Sequence, residues 1–188
     1  MGVAYKNFRS LNVDEAIVTW ILRNLTNNNI EVLMPMNWQM KDIDLVLMNI
    51  DSKKTLTIQV KWSRAYEPKP KEIEKYGKWS TWWFFLKKDT IDKSTADYFI
   101  FLVYVIHEQK KSWKRSIEPH LITIPTNELK ELCQKHKKQT SEKYSFYFWI
   151  NPDKKIWFDF REEKNWWKYF ITDLLDKKWV EKIIKILI

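Results

Sequence analysis

Two neighbouring segments of the chain alternate between apolar and polar residues, and this alternation restricts the possible folds more than any other feature. Residues 42–49 (DIDLVLMN) and 55–63 (TLTIQVKWS) are separated by a short polar loop around Asp51 and Ser52. A period of two residues is typical of a β-strand that buries one face. We therefore predict an antiparallel hairpin, preceded by another strand from Ile30 to Met36.

The polar residues of this hairpin are predicted to lie on one face of the sheet. Gln59 and Lys61 are two residues apart on the second strand, so their side chains project to the same side. If residues 51 and 52 form a two-residue loop, Asp44 lies directly across from Gln59. If the loop slides by one residue, Asp44 faces Lys61 instead. In either register the opposed Cβ atoms are about 4.5–5.5 Å apart.

A carboxylate, an amide oxygen and an ammonium group in one place are suited to metal-assisted hydrolysis of a phosphodiester. Asp44 and the carbonyl of Gln59 offer the oxygen ligands that Mg²⁺ prefers. Lys61 would orient the attacking water or stabilise negative charge as it develops. An ordinary cross-strand ion pair between Asp44 and Lys61 is the structural alternative.

The segment before the hairpin has helical periodicity. Residues 13–25 (VDEAIVTWILRNL) place their apolar side chains on one broad face, and Asn12 is predicted to cap the helix. Glu15 allows two interpretations. It completes a capping-box spacing with Asn12, or it leans inward over the sheet.

Further elements are predicted along the rest of the chain. These are a short helix after Pro70, strands over residues 81–86, 97–106 and 120–124, a charged loop over 87–94, a helix capped by Thr126 and Asn127, a hairpin formed by 144–150 and 155–160, and two helices within 165–187. We predict a core of residues 1–138, with residues 139–188 forming a hairpin and helices packed on the same domain.

Composition narrows the compartment and the partners. A formal net charge of +9 favours a polyanionic partner, chiefly nucleic acid. Cys133 is the only cysteine, which excludes an internal disulfide and a thiolate metal cluster. The sequence has neither the apolar core of a signal peptide nor an apolar run of membrane-spanning length, so we expect a cytoplasmic protein without a membrane partner. Two glycines are too few for a phosphate-binding glycine loop.

The ordered set of helix, strand, Asp-bearing hairpin strand and Gln59-Val60-Lys61 resembles the core of the PD-(D/E)XK nuclease superfamily. The likeness extends over about residues 10–135, because ADYFIFLVYV and HLITIPTNELKELC are similar to the strands and helix that follow in prokaryotic members. It implies an α/β restriction-endonuclease-like αβββαβ fold with a mixed central sheet and flanking helices. Gln59 stands where most members have Glu or Asp, and this lost charge implies weaker metal binding.

This resemblance implies a Mg²⁺-dependent endonuclease acting on DNA, with Mn²⁺ as a substitute. Its residues would be Asp44 and Gln59, with Glu15 as a further metal ligand, and Lys61 at the attacking water. Ser63 and Arg64 extend the polar side of the strand toward phosphate, although a solvated strand end is an equal alternative. Cutting both strands of a duplex would require a homodimer, because one such site cuts one strand.

Two other classes of function stay open. One is a nucleic-acid-binding module that keeps the fold without catalysis, which the uncharged Gln59 favours. The other is an interaction protein whose aromatic C-terminal third forms the working surface. Trp79, Trp82 and Trp83 invite base stacking, but tryptophans in such a β-rich stretch are more often part of a core.

Overall fold

The computed structural model describes residues 12–26, 28–35, 42–63, 65–66, 69–76, 80–108, 115–135, 142–151, 156–159, 170–171 and 185–187. Its first element is helix α1 (Val13–Leu25), which has the predicted bounds. The Asn12 side chain accepts a hydrogen bond from the Asp14 N–H at 3.1 Å, so the predicted N-cap is confirmed. Val18, Ile21 and Leu22 form the buried face of α1.

The central sheet has six strands and is mixed, as predicted. Among the described residues its order is β1-β2-β3-β6-β7-β10, in which β3 and β6 run parallel and the other neighbouring pairs are antiparallel. Two parallel neighbouring strands must be joined by a crossover connection, and the residues between β3 and β6 form it. The strands are β1 (Ile30–Leu33), β2 (Leu45–Asn49), β3 (Thr55–Trp62), β6 (Tyr98–Glu108), β7 (Arg115–Pro125) and β10 (Phe170–Ile171).

The β2–β3 hairpin is confirmed, but its loop is longer than the predicted two residues. Asn49 and Lys54 are still hydrogen-bonded across the hairpin, which leaves residues 50–53 as the loop. The Asn49 side chain accepts from the N–H groups of Asp51 and Ser52 at 2.9 and 2.8 Å, so this loop is closed by a local side-chain bond. Lys53 completes it with φ 60°.

A second, four-stranded antiparallel sheet covers part of one face of the first, and the sequence did not predict it as a separate layer. Its order is β4-β5-β8-β9, so the C-terminal hairpin pairs with a strand from the middle of the chain. The strands are β4 (Ala65–Tyr66), β5 (Ser80–Lys87), β8 (Lys143–Asn151) and β9 (Ile156–Asp159). The predicted hairpin of residues 144–150 and 155–160 is therefore confirmed.

The part of the chain that the structure describes also contains the helices α2 (Pro70–Tyr76), α3 (Lys88–Asp92) and α4 (Thr126–Lys135). Two predictions were wrong. The charged segment 87–94 contains α3 rather than only a loop. Residues 170–171 form β10 rather than helix, because they pair with Leu121 and Ile122 of β7. Residues 185–187 are helical, and the rest of the predicted 165–187 helices lies outside the described residues.

Two apolar cores lie on the two faces of the central sheet. One joins α1 to alternate residues of β3, among them Ile58 and Val60. The other joins α4 and the second sheet to alternate residues of β6, among them Phe99 and Phe101. The mixed α/β architecture with flanking helices is therefore confirmed. Within the described part of the chain, none of the helices has the length and apolar character needed to cross a membrane.

Candidate active site

Asp44 lies where β2 begins and the chain bends away from β3. Leu45 is paired with Ile58, and the Asp44 N–H also donates to the Ile58 carbonyl at 2.8 Å. Two residues of one strand thus oppose a single residue of the other, as in a β-bulge. From Met48 back to Leu45 the strands have the first of the two predicted registers, the one that would pair Asp44 with Gln59. The bulge then prevents the direct Asp44–Gln59 pairing that this register predicted, and β2 starts three residues later than expected.

The Asp44 carboxylate instead binds the main chain of the Gln59-Val60-Lys61 segment. Its Oδ2 accepts a hydrogen bond from the Val60 N–H at 2.7 Å, and the residue is only 6% exposed. Strand N–H groups point along the sheet toward the neighbouring strand, so this carboxylate lies between β2 and β3 rather than above either face. A hydrogen bond of this kind leaves acceptor capacity on a carboxylate, which has about four lone-pair sites.

Gln59 is buried on the face that the second sheet covers. It is 3% exposed and lies beside Phe99 of the parallel strand β6. Its Oε1 is 3.4 Å from the hydroxyl of Ser94, which donates to it in a long hydrogen bond. Ser94 is itself buried after α3, with its N–H bonded to the Ile91 carbonyl at 3.2 Å. No periodicity or motif in the sequence indicates Ser94, because the contact depends on how α3 meets β3.

Lys61 projects from the same face as Gln59 and is half-buried. Beyond it, the hydroxyl of Ser63 donates to the main-chain carbonyl of Trp83. Ser63 therefore ties the end of β3 to β5. Arg64 lies outside the described residues.

Glu15 is buried on the sheet-facing side of α1, in line with its inward-leaning interpretation. α1 packs with Val60, whereas Gln59 and Lys61 point to the opposite face, so Glu15 approaches β3 from the other side. The first turn of α1 lies toward the end of the sheet where β3 finishes. There the hydroxyl of Tyr104 donates to Asp14 at 2.7 Å. Burial, followed by that hydrogen bond, holds the pKa of Tyr104 well above its ordinary value.

The donor atoms at this end of the sheet fit a hard cation by type. Asp44 supplies a carboxylate and Gln59 an amide carbonyl, and oxygen ligands of this kind suit Mg²⁺ or Mn²⁺, whereas the Glu15 carboxylate lies toward the opposite face of β3. Their combined charge is low, because Gln59 is neutral. Among the residues that the structure describes, no three acidic, histidine or cysteine side chains are grouped so that they could hold a metal ion.

The structure thus brings Asp44 to the segment that carries Gln59 and Lys61, and it places Glu15 on the other side of the same strand. Comparisons with protein-family models, with curated proteins and with solved structures found no match for this chain.

Proposed function

We propose that this chain is a metal-dependent endonuclease that hydrolyses phosphodiester bonds in DNA on a restriction-endonuclease-like fold. The observation that carries the proposal is the hydrogen bond from the Val60 N–H to the Asp44 carboxylate. This hydrogen bond brings a buried acid to the strand segment in which Val60 is preceded by the amide of Gln59 and followed by the ammonium group of Lys61.

Each residue has a distinct role in this proposal. Asp44 and Gln59 would hold Mg²⁺. Glu15, a buried acid on α1, would be a further ligand that approaches from the other face of β3. The bound ion would make a water molecule more acidic and neutralise charge on the phosphoryl group. The Lys61 ammonium would orient the attacking water and stabilise the negative charge that develops on the phosphate oxygens. Cutting of both strands would involve two copies of the chain.

The test is a nicking and linearisation assay on supercoiled plasmid with Mg²⁺, Mn²⁺ or EDTA. Asp44→Asn and Lys61→Ala are expected to slow metal-dependent cutting by about 100-fold or more. Asn is chosen at position 44 because its carbonyl still accepts from the Val60 N–H. Asp89→Asn and Lys54→Ala, which change exposed residues, serve as matched controls and should keep full activity. Urea unfolding of every variant separates lost activity from lost structure.

Cutting that persists in folded Asp44→Asn would contradict the assigned site. The absence of metal-dependent cutting on plasmid, branched and single-stranded DNA would contradict the endonuclease itself.

A nucleic-acid-binding module without catalysis is the second candidate. Gln59 favours this candidate. Its side-chain carbonyl is buried and accepts a hydrogen bond from Ser94, and it lacks the negative charge with which a carboxylate at this position would bind a metal ion more strongly. Salt-sensitive retention of plasmid without cutting would support this candidate. Gln59→Glu would then be expected to introduce metal binding, measured by titration calorimetry with Mn²⁺.

A further inference from the structure

The outer face of the second sheet carries aromatic side chains that the core does not use. Alternate residues of β5 point inward, where Trp82 and Phe84 join the core between the sheets. Trp83 and Phe85 therefore point outward, as do their neighbours on β8. Trp83 is 38% exposed and Phe85 is 53% exposed.

Tyr66 of β4 extends this surface into an aromatic strip of three residues, Tyr66, Trp83 and Phe85. Tyr66 is 49% exposed. The Trp83 ring centroid lies 6.2 Å from that of Tyr66 and 5.6 Å from that of Phe85. Tyr147, the residue of β8 that pairs with Trp83, lies on the same face and meets the Trp83 ring edge-on at 4.7 Å. Exposed apolar groups clustered in this way commonly mark a binding surface.

The surroundings of the aromatic strip are charged in a way that favours an anionic ligand. Lys87 and Lys143 are exposed and directly opposed across β5 and β8, at the Phe85 end of the strip. The whole chain carries a formal net charge of +9. Glu72 of α2 is an acid on this side of the sheet, and its carboxylate already accepts from the Tyr147 hydroxyl at 3.2 Å and from the Lys69 N–H at 2.7 Å.

The strip is also joined to the strand that bears the candidate active site. Ser63, two residues beyond Lys61, donates its hydroxyl to the Trp83 carbonyl. β4 then follows directly and pairs with β5. A polymer bound along the strip would therefore lie on strands that are connected directly to the end of β3, which carries Lys61.

The geometry points to single-stranded DNA as the ligand of the aromatic strip, an assignment that rests on the proposed function and narrows its substrate. Bases would stack on Trp83, Phe85 and Tyr66, and the backbone phosphates would lie toward Lys87 and Lys143. The bases of a single strand can turn their faces to such a surface, whereas a duplex keeps its base faces stacked on one another inside the helix. The DNA would be a single strand or the unpaired part of a branched or frayed duplex.

Fluorescence anisotropy with a labelled 15-nucleotide thymidine strand, in EDTA and low salt, tests this assignment without any cutting. Phe85→Ser and Tyr66→Ser are expected to weaken binding by roughly 5- to 100-fold each. Lys87→Gln is expected to reduce the slope of log affinity against log salt by about 0.7. Trp20→Ser and Lys54→Gln are matched controls on exposed residues of α1 and of the segment just before β3, and should bind as the unchanged chain does.

Circular dichroism checks that each variant is folded, and Phe85 is the decisive position because more than half of its side chain is exposed. Equal binding by Phe85→Ser and the unchanged chain would overturn the assignment. So would a blunt duplex that binds as tightly as the single strand, or a uridine strand that binds at least tenfold more tightly. Self-association lost in Phe85→Ser, without any DNA binding, would overturn it in favour of a protein interface. Binding on the strip by a chain that cuts no DNA would leave this inference standing while the endonuclease fails.

Discussion

Tyr144 packs into the core between the two sheets, but its hydroxyl reaches an acid near the surface. It donates to the carboxylate of Asp92, at 2.9 Å from Oδ1 and 3.1 Å from Oδ2. Burial and then this hydrogen bond raise the pKa of Tyr144 from its usual value of 10.0 to about 12. The folded chain therefore keeps a proton that the unfolded chain releases once the pH exceeds 10.

We expect Tyr144→Phe to lower the free energy of unfolding by about 1–2 kcal/mol at pH 7, because a hydrogen bond to a charged group is lost. A raised folded-state pKa contributes stability that is complete below pH 10 and is lost as the pH rises toward 12. The difference between the unchanged chain and Tyr144→Phe should therefore narrow above pH 10. Urea unfolding at pH 7, 9, 10 and 11 measures it.

Tyr66→Phe is the control, since Tyr66 is exposed. A stability difference for Tyr144→Phe that stays constant from pH 7 to pH 11 would contradict this account of its hydroxyl.

At the scale of single elements, adjacent residues of β5 point to opposite faces of the sheet, so they differ in burial and in their contribution to the free energy of unfolding. Phe84 is 1% exposed and meets Phe101 of the central sheet edge-on, with ring centroids 5.0 Å apart. Its neighbour Phe85 lies on the outer face and is mostly exposed. The two positions have the same residue type, strand and sheet, so they form a matched pair.

We expect Phe84→Ala to lower the free energy of unfolding by about 3–5 kcal/mol, because it opens a cavity between the two sheets. Phe85→Ala should cost clearly less, about 1 kcal/mol, because about half of the Phe85 surface stays in water in the folded chain. Guanidinium unfolding of both variants measures the difference. Equal losses at the two positions would show that the outer face is covered in solution.

Local periodicity was sufficient to predict α1 and the β2–β3 hairpin. Both depend on residues close in sequence, such as Asn12 at the helix start and the alternation around Ile58. The bulge at Asp44 was not predictable, because it depends on a hydrogen bond with Val60 across the sheet. Alternation also separates Phe84 from Phe85, but it does not say which strand will pair with β5.

The long-range pairings explain the remaining differences between sequence and structure. β5 pairs with β8, about sixty residues later, and β10 pairs with β7. Such contacts leave no periodic signal in either partner, so the second sheet was not predicted as a layer. Residues 170–171 were predicted as helix for the same reason, since the main-chain partner that makes them a strand lies far away in sequence.

At the scale of the whole molecule, Phe101 is among the buried side chains that pack the two sheets together. Phe101 of β6 contacts Phe84 of β5, and its ring centroid lies 5.8 Å from Phe146 and 5.5 Å from Phe148 of β8. All four rings belong to a single buried core. Neither sheet can therefore lose its packing without exposing the apolar face of the other.

We expect the chain to unfold in one cooperative transition, with far-ultraviolet circular dichroism and tryptophan fluorescence giving the same midpoint in urea. Phe101→Leu should move both midpoints to lower urea together, by a loss of about 1–2 kcal/mol, because it weakens packing on both sheets. Two separate transitions, or midpoints that move independently in this variant, would contradict a shared core.

The pairing of β8 with β5 and of β10 with β7 has a consequence for any shortened form of this chain. A polypeptide ending at residue 138 would keep Asp44, Gln59 and Lys61 but would lack both partner strands. The main-chain groups of β5 and β7 would then be open to other copies, and the inward rings of Trp82 and Phe84 would be uncovered. Such open strands add further strands from neighbouring molecules, so the shortened polypeptide is expected to aggregate rather than behave as a minimal enzyme. In the full chain, β8 and β10 occupy these strand edges, so we expect it to stay monodisperse under conditions in which the shortened polypeptide precipitates.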